Sequence, residues 1–309
     1  MGNNNLLLML IDALWQEQNN QWQMMQKGYQ DFSHIVTKDI SYGGKVFRAQ
    51  HNPRRIVSAS ANVDKQCVAK RPCFLCSDSF NKDQKGILLH HKYLFLINPY
   101  PILPRHFTIP SLKHEPQQIM GDTFTDMAWM AEMLRNKYDV YFNGATAGAS
   151  APDHFHFQAG PQGILPLCEM DISQPIWQGQ HSIVSEIETS PRTILLIQST
   201  EIEEMNKAWQ SIYNALSEPQ RINLVMRHSK GSWKLWIILR SKHRPECYTA
   251  EGDNKMMVSP GVIDMAGIAV LPRQFDFDRI NGEIWYRIMA EVSLSVTDYR
   301  KTLQRIKWS

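Results

Sequence analysis

A glycine-rich turn leads into alternating polar and aromatic residues in the stretch Asn143-Gly-Ala-Thr-Ala-Gly-Ala-Ser-Ala-Pro-Asp-His-Phe-His-Phe-Gln158. Successive side chains of an extended strand point to opposite faces, which predicts His154, His156 and Gln158 on one face and the two phenylalanines on the other. An isolated His-x-His on a strand is often only a polar face. Because glycines precede this pair and a glutamine follows it, we interpret the segment as an active-site strand.

The glycine-rich part of this stretch has the composition of an anion-binding turn. Gly144 and Gly148 allow backbone conformations and close approaches that a side chain would block. Ser150 adds a hydroxyl beside backbone N–H groups, which together suit a phosphate. Arg54 and Arg55, which follow an earlier turn, could also meet a phosphate, although adjacent loop arginines are usually solvated.

The composition indicates a soluble globular protein of one large or two medium domains. The chain has 309 residues, of which 43% are hydrophobic and 20% are charged, and its net charge is +3. This charge fits a small anionic substrate, and the lack of a long Lys/Arg run argues against nucleic acid. The apolar run at residues 6–11 follows no basic residue, so we expect neither a signal peptide nor a membrane span. Five cysteines, an odd number, favour the reducing cytoplasm.

Helical and strand patterns alternate along the chain. Apolar residues at helical spacing predict a first helix at residues 6–29, whose Trp and Met stripe would form core or a subunit contact, as in a homodimer. Thr123 is the expected cap of a second helix. The predicted elements before the central stretch are strands at 93–97, 105–110 and 140–142 and a helix at 123–137. The order through the central stretch is therefore strand, strand, helix, strand, strand.

The C-terminal half echoes this pattern without its polar motifs. Its predicted elements are strands at 193–198, 223–226 and 232–240 and helices at 201–216 and 278–304. Lys242 and His243 follow an apolar strand, much as Arg105 and His106 follow the strand at 93–97. We therefore predict a degenerate internal repeat.

Cys73 and Cys76 form a Cys-x-x-Cys pair in a polar loop. Such a pair can hold a metal, carry out redox chemistry or consist of two unrelated thiols. A redox pair would be expected to open a helix after a strand, and this pair lies in a loop. Zinc requires four ligands of this kind, so two more would have to come from elsewhere in the chain.

These motifs together resemble the histidine-triad superfamily, in the branch containing galactose-1-phosphate uridylyltransferase, diadenosine tetraphosphate phosphorylase and the GDP-hexose phosphorylases. The resemblance covers roughly residues 65–165, including Asn98-Pro-Tyr-Pro-Ile-Leu-Pro-Arg-His-Phe-Thr-Ile-Pro110 and the His-x-His-x-Gln motif. It implies an α+β fold with a histidine-triad-like (HIT-like) antiparallel sheet, flanking helices and two similar halves, the second degenerate. The implied divisions are an N-terminal helix and strand extension at 1–60, a catalytic half at 61–170 and a degenerate half at 171–309.

The resemblance also assigns roles to individual residues. It implies that His156 is the nucleophile and that the amide of Gln158 steadies the phosphoryl oxygens. The expected substrate contacts are Asn143, Gly148, Ser150 and Arg105. The implied ligands of a structural zinc are Cys73, Cys76, His114 and His154. His106 lies close to His114 in the sequence and is the alternative third ligand.

The chemistry of these residues is consistent with nucleotidyl transfer. A neutral imidazole can attack an α-phosphorus and leave a nucleotidyl-histidine. Because Gln158 cannot give a proton to a poor leaving group, the expelled group should be a stable anion such as a phosphate monoester. We therefore predict a nucleotidyltransferase or phosphorylase that acts on a nucleoside diphosphate sugar or a dinucleoside polyphosphate, with phosphate or a sugar 1-phosphate as acceptor. The alternatives are a nucleotide hydrolase and a non-catalytic, zinc-stabilised nucleotide-binding module.

Overall fold

Thirteen strands and eleven helices make up the part of the chain that a computed structural model describes, residues 3–61, 63, 65–119, 121–170, 172–187 and 192–308. The strands are β1 Val36–Tyr42, β2 Lys45–His51, β3 Gly86–Leu89, β4 Tyr93–Ile97, β5 Phe107–Pro110, β6 Tyr138–Asn143, β7 His156–Pro161, β8 Ile172–Gln178, β9 Ser182–Ile187, β10 Thr193–Ser199, β11 Ile222–Ser229, β12 Ser232–Leu239 and β13 Ile268–Leu271. The helices are α1 Asn3–Gln21, α2 Gln23–Ser33, α3 Ile56–Ala59, α4 Lys65–Lys70, α5 Asp122–Met133, α6 Ile202–Ala215, α7 Glu246–Thr249, α8 Val262–Met265, α9 Gln274–Arg279, α10 Gly282–Val292 and α11 Val296–Arg305. Among these residues, none of the helices has the length and apolar character that a membrane crossing requires.

Ten strands form one antiparallel sheet in the order β3-β4-β5-β7-β6-β11-β12-β10-β9-β8. The first five belong to the N-terminal half and the last five to the C-terminal half. Each half runs through three strands, a helix and two further strands, and the halves join where Asn143 of β6 pairs with Asn223 of β11. The predicted α+β architecture of an antiparallel sheet in two similar halves is confirmed.

The two faces of this sheet bury different layers. Helices α1, α5 and α6 cover one face, where Phe157 of β7 is buried. The three-stranded sheet β1-β2-β13, with α8 and α10, covers the C-terminal part of the other face. Strand β12 occupies in the second half the place that β7 occupies in the first. Its side chains can therefore be compared with the polar motif of β7. Trp236 and Ile238 of β12 are buried among apolar residues on this second face, so the second half has apolar side chains at the position that β7 occupies in the first.

The strands of the N-terminal extension, β1 and β2, pack on the C-terminal half. Strand β2 pairs with β1 on one side and in parallel with β13 on the other, where Arg48 lies opposite Ile268. The extension therefore completes a layer of the same fold and shares its core.

The first predicted helix is two helices. Trp22 separates α1 from α2 with an extended backbone (φ −108°, ψ 97°), and its side chain is only 1% exposed. Burial of this large ring stabilises the break between α1 and α2. The spacing of apolar residues along the chain does not show this break. The expected cap of α5 is also wrong, because the helix begins one residue before Thr123 and follows Gly121, which has a φ of 56°.

The final predicted helix is three helices. Asn281 accepts a hydrogen bond from the N–H of Ile284 at the start of α10, and Ser295 accepts one from the N–H of Asp298 at the start of α11. Asparagine and serine are strong N-cap residues. These two caps lie within a continuous apolar period, so periodicity alone joined the segments into one helix.

A buried ion pair joins the two halves beside the junction of β6 and β11. Arg227 donates to both carboxylate oxygens of Asp139, at 2.8 and 2.9 Å, and the Asp139 side chain is 0% exposed. Removing one partner of a buried pair leaves an uncompensated charge. We expect Arg227→Met to lower the free energy of unfolding by about 3–5 kcal/mol in urea titrations.

The pH dependence and a double variant check this explanation. Burial raises the pKa of Asp139, and a protonated carboxyl is cheaper to bury than a carboxylate. The loss from Arg227→Met should therefore be smaller at about pH 5 than at about pH 8. Adding Asp139→Leu to Arg227→Met should restore much of the stability, and equal stability of Arg227→Met and wild type would contradict the expected loss.

Candidate active site

The predicted active-site strand opens onto a cavity of about 640 Å³. Its lining includes His156 and Gln158 of β7 together with His243, Arg244 and Ser259 of the C-terminal half. The sheet places the start of β7 beside the end of β6, so the glycine-rich turn between them also lines the cavity. The site therefore lies between the two halves of the chain.

His156 is held as a neutral imidazole. Its Nδ1 lies 2.9 Å from the carbonyl oxygen of His154, so Nδ1 carries the proton that it donates and Nε2 has a free lone pair. Burial lowers the pKa of His156 to about 4. The side chain of Gln117, which the sequence patterns did not reveal, binds the His156 N–H at 2.7 Å and its carbonyl at 3.0 Å. The nucleophile candidate is thus fixed in tautomer and position.

Gln158 is oriented by a second histidine, His106. The N–H of Ile102 lies 3.4 Å from Nδ1 of His106, which leaves Nε2 to donate to Oε1 of Gln158 at 2.9 Å. Burial lowers the pKa of His106 to about 3, so this ring is also neutral. Because the oxygen of Gln158 accepts from His106, its NH2 group is the part that remains for the cavity.

The four predicted metal ligands come together. The ligand atoms of Cys73, Cys76, His114 and His154 all lie within 4.8 Å of one another. Nδ1 of His154 is 3.3 Å from the sulfur of Cys73, and Nδ1 of His114 is 3.3 Å from the sulfur of Cys76. His106 is engaged with Gln158, so it is His114 that joins this cluster.

The surroundings of the cluster fit a zinc ion. Nε2 of His154 lies 2.8 Å from the carbonyl oxygen of Ser111, which fixes the proton on Nε2 and leaves Nδ1 free to bind. Nε2 of His114 lies 3.7 Å from a carboxylate oxygen of Asp153. Metal-binding histidines characteristically donate their second nitrogen to a carbonyl or a carboxylate. Two thiolates and two imidazoles would form a closed structural set for zinc.

The glycines of the turn are required by contacts within the protein. Gly148 has a φ of +94°, and a Cβ there would lie 2.5 Å from the Cα of Gly261. A Cβ on Gly144 would lie 2.2 Å from the carbonyl oxygen of Gln220. The close approach that we attributed to a phosphate is thus an approach of the C-terminal half. Gly148 and Ser150 nevertheless line the cavity.

Gly148→Ala should displace this turn. The positive φ alone costs about 1–2 kcal/mol, and the contact with Gly261 adds to it because backbone cannot yield easily. We expect a loss of about 3 kcal/mol in the free energy of unfolding, measured in denaturant. Gly163→Ala is the matched control, since Gly163 has a φ of +80° with nothing within 4 Å of its Cβ position. Equal losses in the two variants would contradict a role for the Gly261 contact.

Arg105 is not brought to the cavity, which corrects its expected role as a substrate contact. Its guanidinium pairs with Asp12 of α1, donates to the Tyr138 hydroxyl at 3.0 Å and lies over the ring of Trp15. Arg105 lies in the bend that precedes β5. His106 contacts Gln158, whereas Arg105 points to the α1 layer.

Other arginines supply the positive charge. Arg55 and Arg244 both line the cavity and form no ion pair among the described residues. Asp264 is the one acidic side chain that lines the described cavity, and burial raises its pKa to about 6. Its carboxylate accepts from the N–H groups of Gly261 and Val270 at 3.0 and 2.9 Å. The described cavity therefore favours an anionic ligand.

Family models cover both halves of the chain. The family described as "Domain of unknown function (DUF4922)" matches residues 14–161. The family described as "GDPGP1-like, C-terminal domain" matches residues 169–308. The boundary between the two matches falls where β7 ends and the second half of the large sheet begins.

Two curated relatives are galactose-1-phosphate uridylyltransferases. The chain is 24% identical over 131 residues to that of Staphylococcus carnosus (strain TM300), a match covering 41% of this chain and 26% of the relative. It is 21% identical over 208 residues to that of Staphylococcus saprophyticus subsp. saprophyticus, covering 58% of this chain and 41% of the relative. The chain thus spans between about a quarter and two fifths of these relatives.

Two solved structures share the fold. The crystal structure of yeast Ap4A phosphorylase Apa2 matches with a TM-score of 0.59 and 11% identity, covering 88% of this chain and 97% of that chain. Its complex with AMP matches with a TM-score of 0.55 and 13% identity, covering 89% and 97%. The histidine-triad-like fold is thus confirmed. The galactose-1-phosphate uridylyltransferase relatives, the Ap4A phosphorylase fold and the GDPGP1-like C-terminal family model together support the histidine-triad superfamily, in the branch of galactose-1-phosphate uridylyltransferase, diadenosine tetraphosphate phosphorylase and the GDP-hexose phosphorylases.

Proposed function

We propose that the protein is a nucleotidyltransferase or phosphorylase that works through a covalent nucleotidyl-histidine on His156. The observation that carries this proposal is the neutral imidazole whose Nδ1–H is bound to a backbone carbonyl at 2.9 Å in a cavity that contains unpaired arginines. A nucleophile of this kind needs no base to activate it. The substrate would be a nucleoside diphosphate sugar or a dinucleoside polyphosphate.

The reaction balances without a general acid. Nε2 of His156 attacks the α-phosphorus, the N–P bond forms, and the bond from phosphorus to the bridging oxygen breaks. The electron pair leaves on that oxygen, which belongs to a phosphate monoester and is a stable anion near neutral pH. The NH2 group of Gln158 donates to a phosphoryl oxygen and stabilises its developing charge. An acceptor oxyanion, phosphate or a sugar 1-phosphate, then displaces the histidine.

The remaining groups would bind the substrate. Apolar side chains of Phe74, Phe80 and Leu96 line the cavity and offer a surface for a nucleobase. Asn143 and Ser150 would contact the phosphates. Bound zinc would supply a structural cross-link, by which Cys73 and Cys76 tie their loop to the segment that leads into β7. We further propose a cytoplasmic setting and homodimer formation, which remain expectations from the sequence.

Two experiments test this function against its alternatives. Labelled nucleoside diphosphate sugars and dinucleoside polyphosphates should leave an acid-labile, base-stable nucleotidyl adduct on the protein, whereas a non-catalytic binding module leaves none. Added phosphate or sugar 1-phosphate should accelerate nucleotide release from that adduct, whereas a hydrolase would release nucleotide at the same rate without it. A protein that forms no adduct with any substrate of this screen would refute the proposal.

A further inference from the structure

Arg240 is a buried cation next to the candidate site. It follows β12, is 2% exposed and forms no ion pair among the described residues. Its guanidinium donates instead to neutral oxygens, namely Oδ1 of Asn223 at 2.7 Å and the carbonyls of Pro260 at 3.0 Å and of Lys242, His243 and Val292 at 3.1 Å. Burying a charge without a carboxylate costs several kcal/mol. Packing alone does not explain why a guanidinium is buried here without a carboxylate.

Arg240 determines which way the amide of Asn223 points. Because Oδ1 of Asn223 accepts from Arg240, its NH2 group must face the other way. There it donates to Oδ1 of Asn143 at 2.8 Å and to the carbonyl of Ala147 at 2.6 Å. Asn223 is 0% exposed, so no water competes for these bonds.

Asn223 in turn determines which way the amide of Asn143 points. Oδ1 of Asn143 accepts from Asn223 and also from the N–H of Val262 at 2.7 Å. A carbonyl oxygen has two lone pairs, and both are used. The NH2 group of Asn143 is therefore the part of this side chain that remains for the cavity, which Asn143 lines together with His156.

We propose that Asn223 and Arg240 are positioning residues, which hold the amide of Asn143 with its NH2 group towards the phosphates of a bound nucleotide. This inference rests on the proposed function of the cavity. An amide fixed in this direction donates to a phosphoryl oxygen, whereas the reversed amide would present its oxygen to the anion. The degenerate half has lost its own polar strand motif, yet in this way it builds part of the phosphate site of the other half.

Asn223→Asp tests the proposal because it removes the donor to Asn143 and keeps the shape of the side chain. Aspartate keeps the shape and accepts from Arg240, gaining an ion pair, but it cannot donate to Asn143. The amide of Asn143 then turns its NH2 group towards the new carboxylate. The second carboxylate oxygen also faces the carbonyl of Ala147, so the unfolding midpoint is measured beside the rate. We expect adduct formation slower by about 10²-fold, as for loss of one preorganised donor.

A second variant removes the added charge as an explanation. Serine in Asn223→Ser can accept from Arg240 and donate to Asn143, although it is smaller and leaves space. We expect Asn223→Ser to form the adduct faster than Asn223→Asp, whichever of the two variants has the higher unfolding midpoint. A purely structural role predicts instead that the more stable of the two variants is also the faster one. Asn281→Asp, the same change at the N-cap of α10, is the matched control and should react at the wild-type rate.

Binding measurements keep the inference testable if chemistry fails. By calorimetry with adenosine, guanosine, uridine and their 5′-monophosphates, Asn223→Asp should weaken binding of the monophosphate at least about tenfold, while the nucleoside binds as to wild type. Equal monophosphate affinity, or adduct formation at the wild-type rate, would overturn the positioning role. A wild-type protein that binds the monophosphate but forms no adduct would refute the proposed transfer reaction and leave this binding comparison to decide the positioning role.

Discussion

We expect replacement of His156 by glycine to abolish the proposed nucleotidyl transfer while the protein remains folded. The imidazole of His156 supplies the nitrogen of the proposed N–P bond. Gln158 cannot replace it, because an amide is not a nucleophile. Loss of a covalent nucleophile costs on the order of 10⁴-fold or more in turnover. Adduct formation with labelled substrate gives the rate, and circular dichroism with thermal unfolding gives the folded state.

The variant should stay folded because His156 contributes little to the core. Its ring makes one hydrogen bond, to the carbonyl of His154, and it stands at the first position of β7. Glycine in a strand costs about 1 kcal/mol, a small part of the stability of a domain. His34→Gly, at the exposed C-terminus of α2, is the control and should transfer normally. Unchanged turnover in His156→Gly would refute the proposed mechanism.

The pH profile of the wild-type protein bears on the same mechanism. Burial lowers the pKa of His156 to about 4, so the attacking lone pair is available throughout the neutral range. The rate constant for adduct formation should therefore be level from about pH 8 to about pH 5 and should fall as the pH passes below about 4, where the ring takes up a proton. A histidine with its ordinary pKa of about 6.5 would instead lose activity below pH 6.5.

Local periodicity predicted the parts of the site that lie on one strand or in one loop. Alternation placed His156 and Gln158 on the same face, and the Cys-x-x-Cys pair indicated two possible metal ligands, to which the family resemblance added His114 and His154. Arg105 received its substrate role from the family resemblance, and it lies in the bend before β5. Its side chain instead pairs with Asp12 of α1, a contact that the local pattern did not show.

The contributions of the C-terminal half could not be predicted in this way. Asn223 reaches Asn143 only because β11 pairs with β6, 80 residues away along the chain. Similarly, Gly148 is required by Gly261, and no local pattern connects the two. A single sequence shows the spacing of residues within an element, but the register between distant strands is a property of the folded sheet.

Replacing Cys73 by serine should remove zinc and loosen the loop that carries it. Cys73, Cys76, His114 and His154 come from three separate segments, so an ion bound to all four would cross-link them. Structural zinc contributes about 10–16 kcal/mol in small zinc-finger domains. Here the sheets fold around their own core, so we expect a smaller loss, on the order of 3 kcal/mol, measured by chemical denaturation. Metal analysis should find about one zinc per wild-type chain and much less in the variant.

The loss should also reach the nucleotide site, because the cluster is connected to it. Nη2 of Arg71, in the cysteine loop, donates to the carbonyl of Ser150 at 2.9 Å and lies 3.7 Å from Asp153, whose other oxygen faces His114. Chelation of wild-type protein should therefore weaken monophosphate binding as well as stability. Cys67→Ser, outside the cluster, is the matched control and should keep its metal. Two results together would contradict the proposed zinc cross-link: wild-type protein that contains no zinc, and a Cys73→Ser variant as stable as wild type. The two cysteines would then be ordinary loop residues.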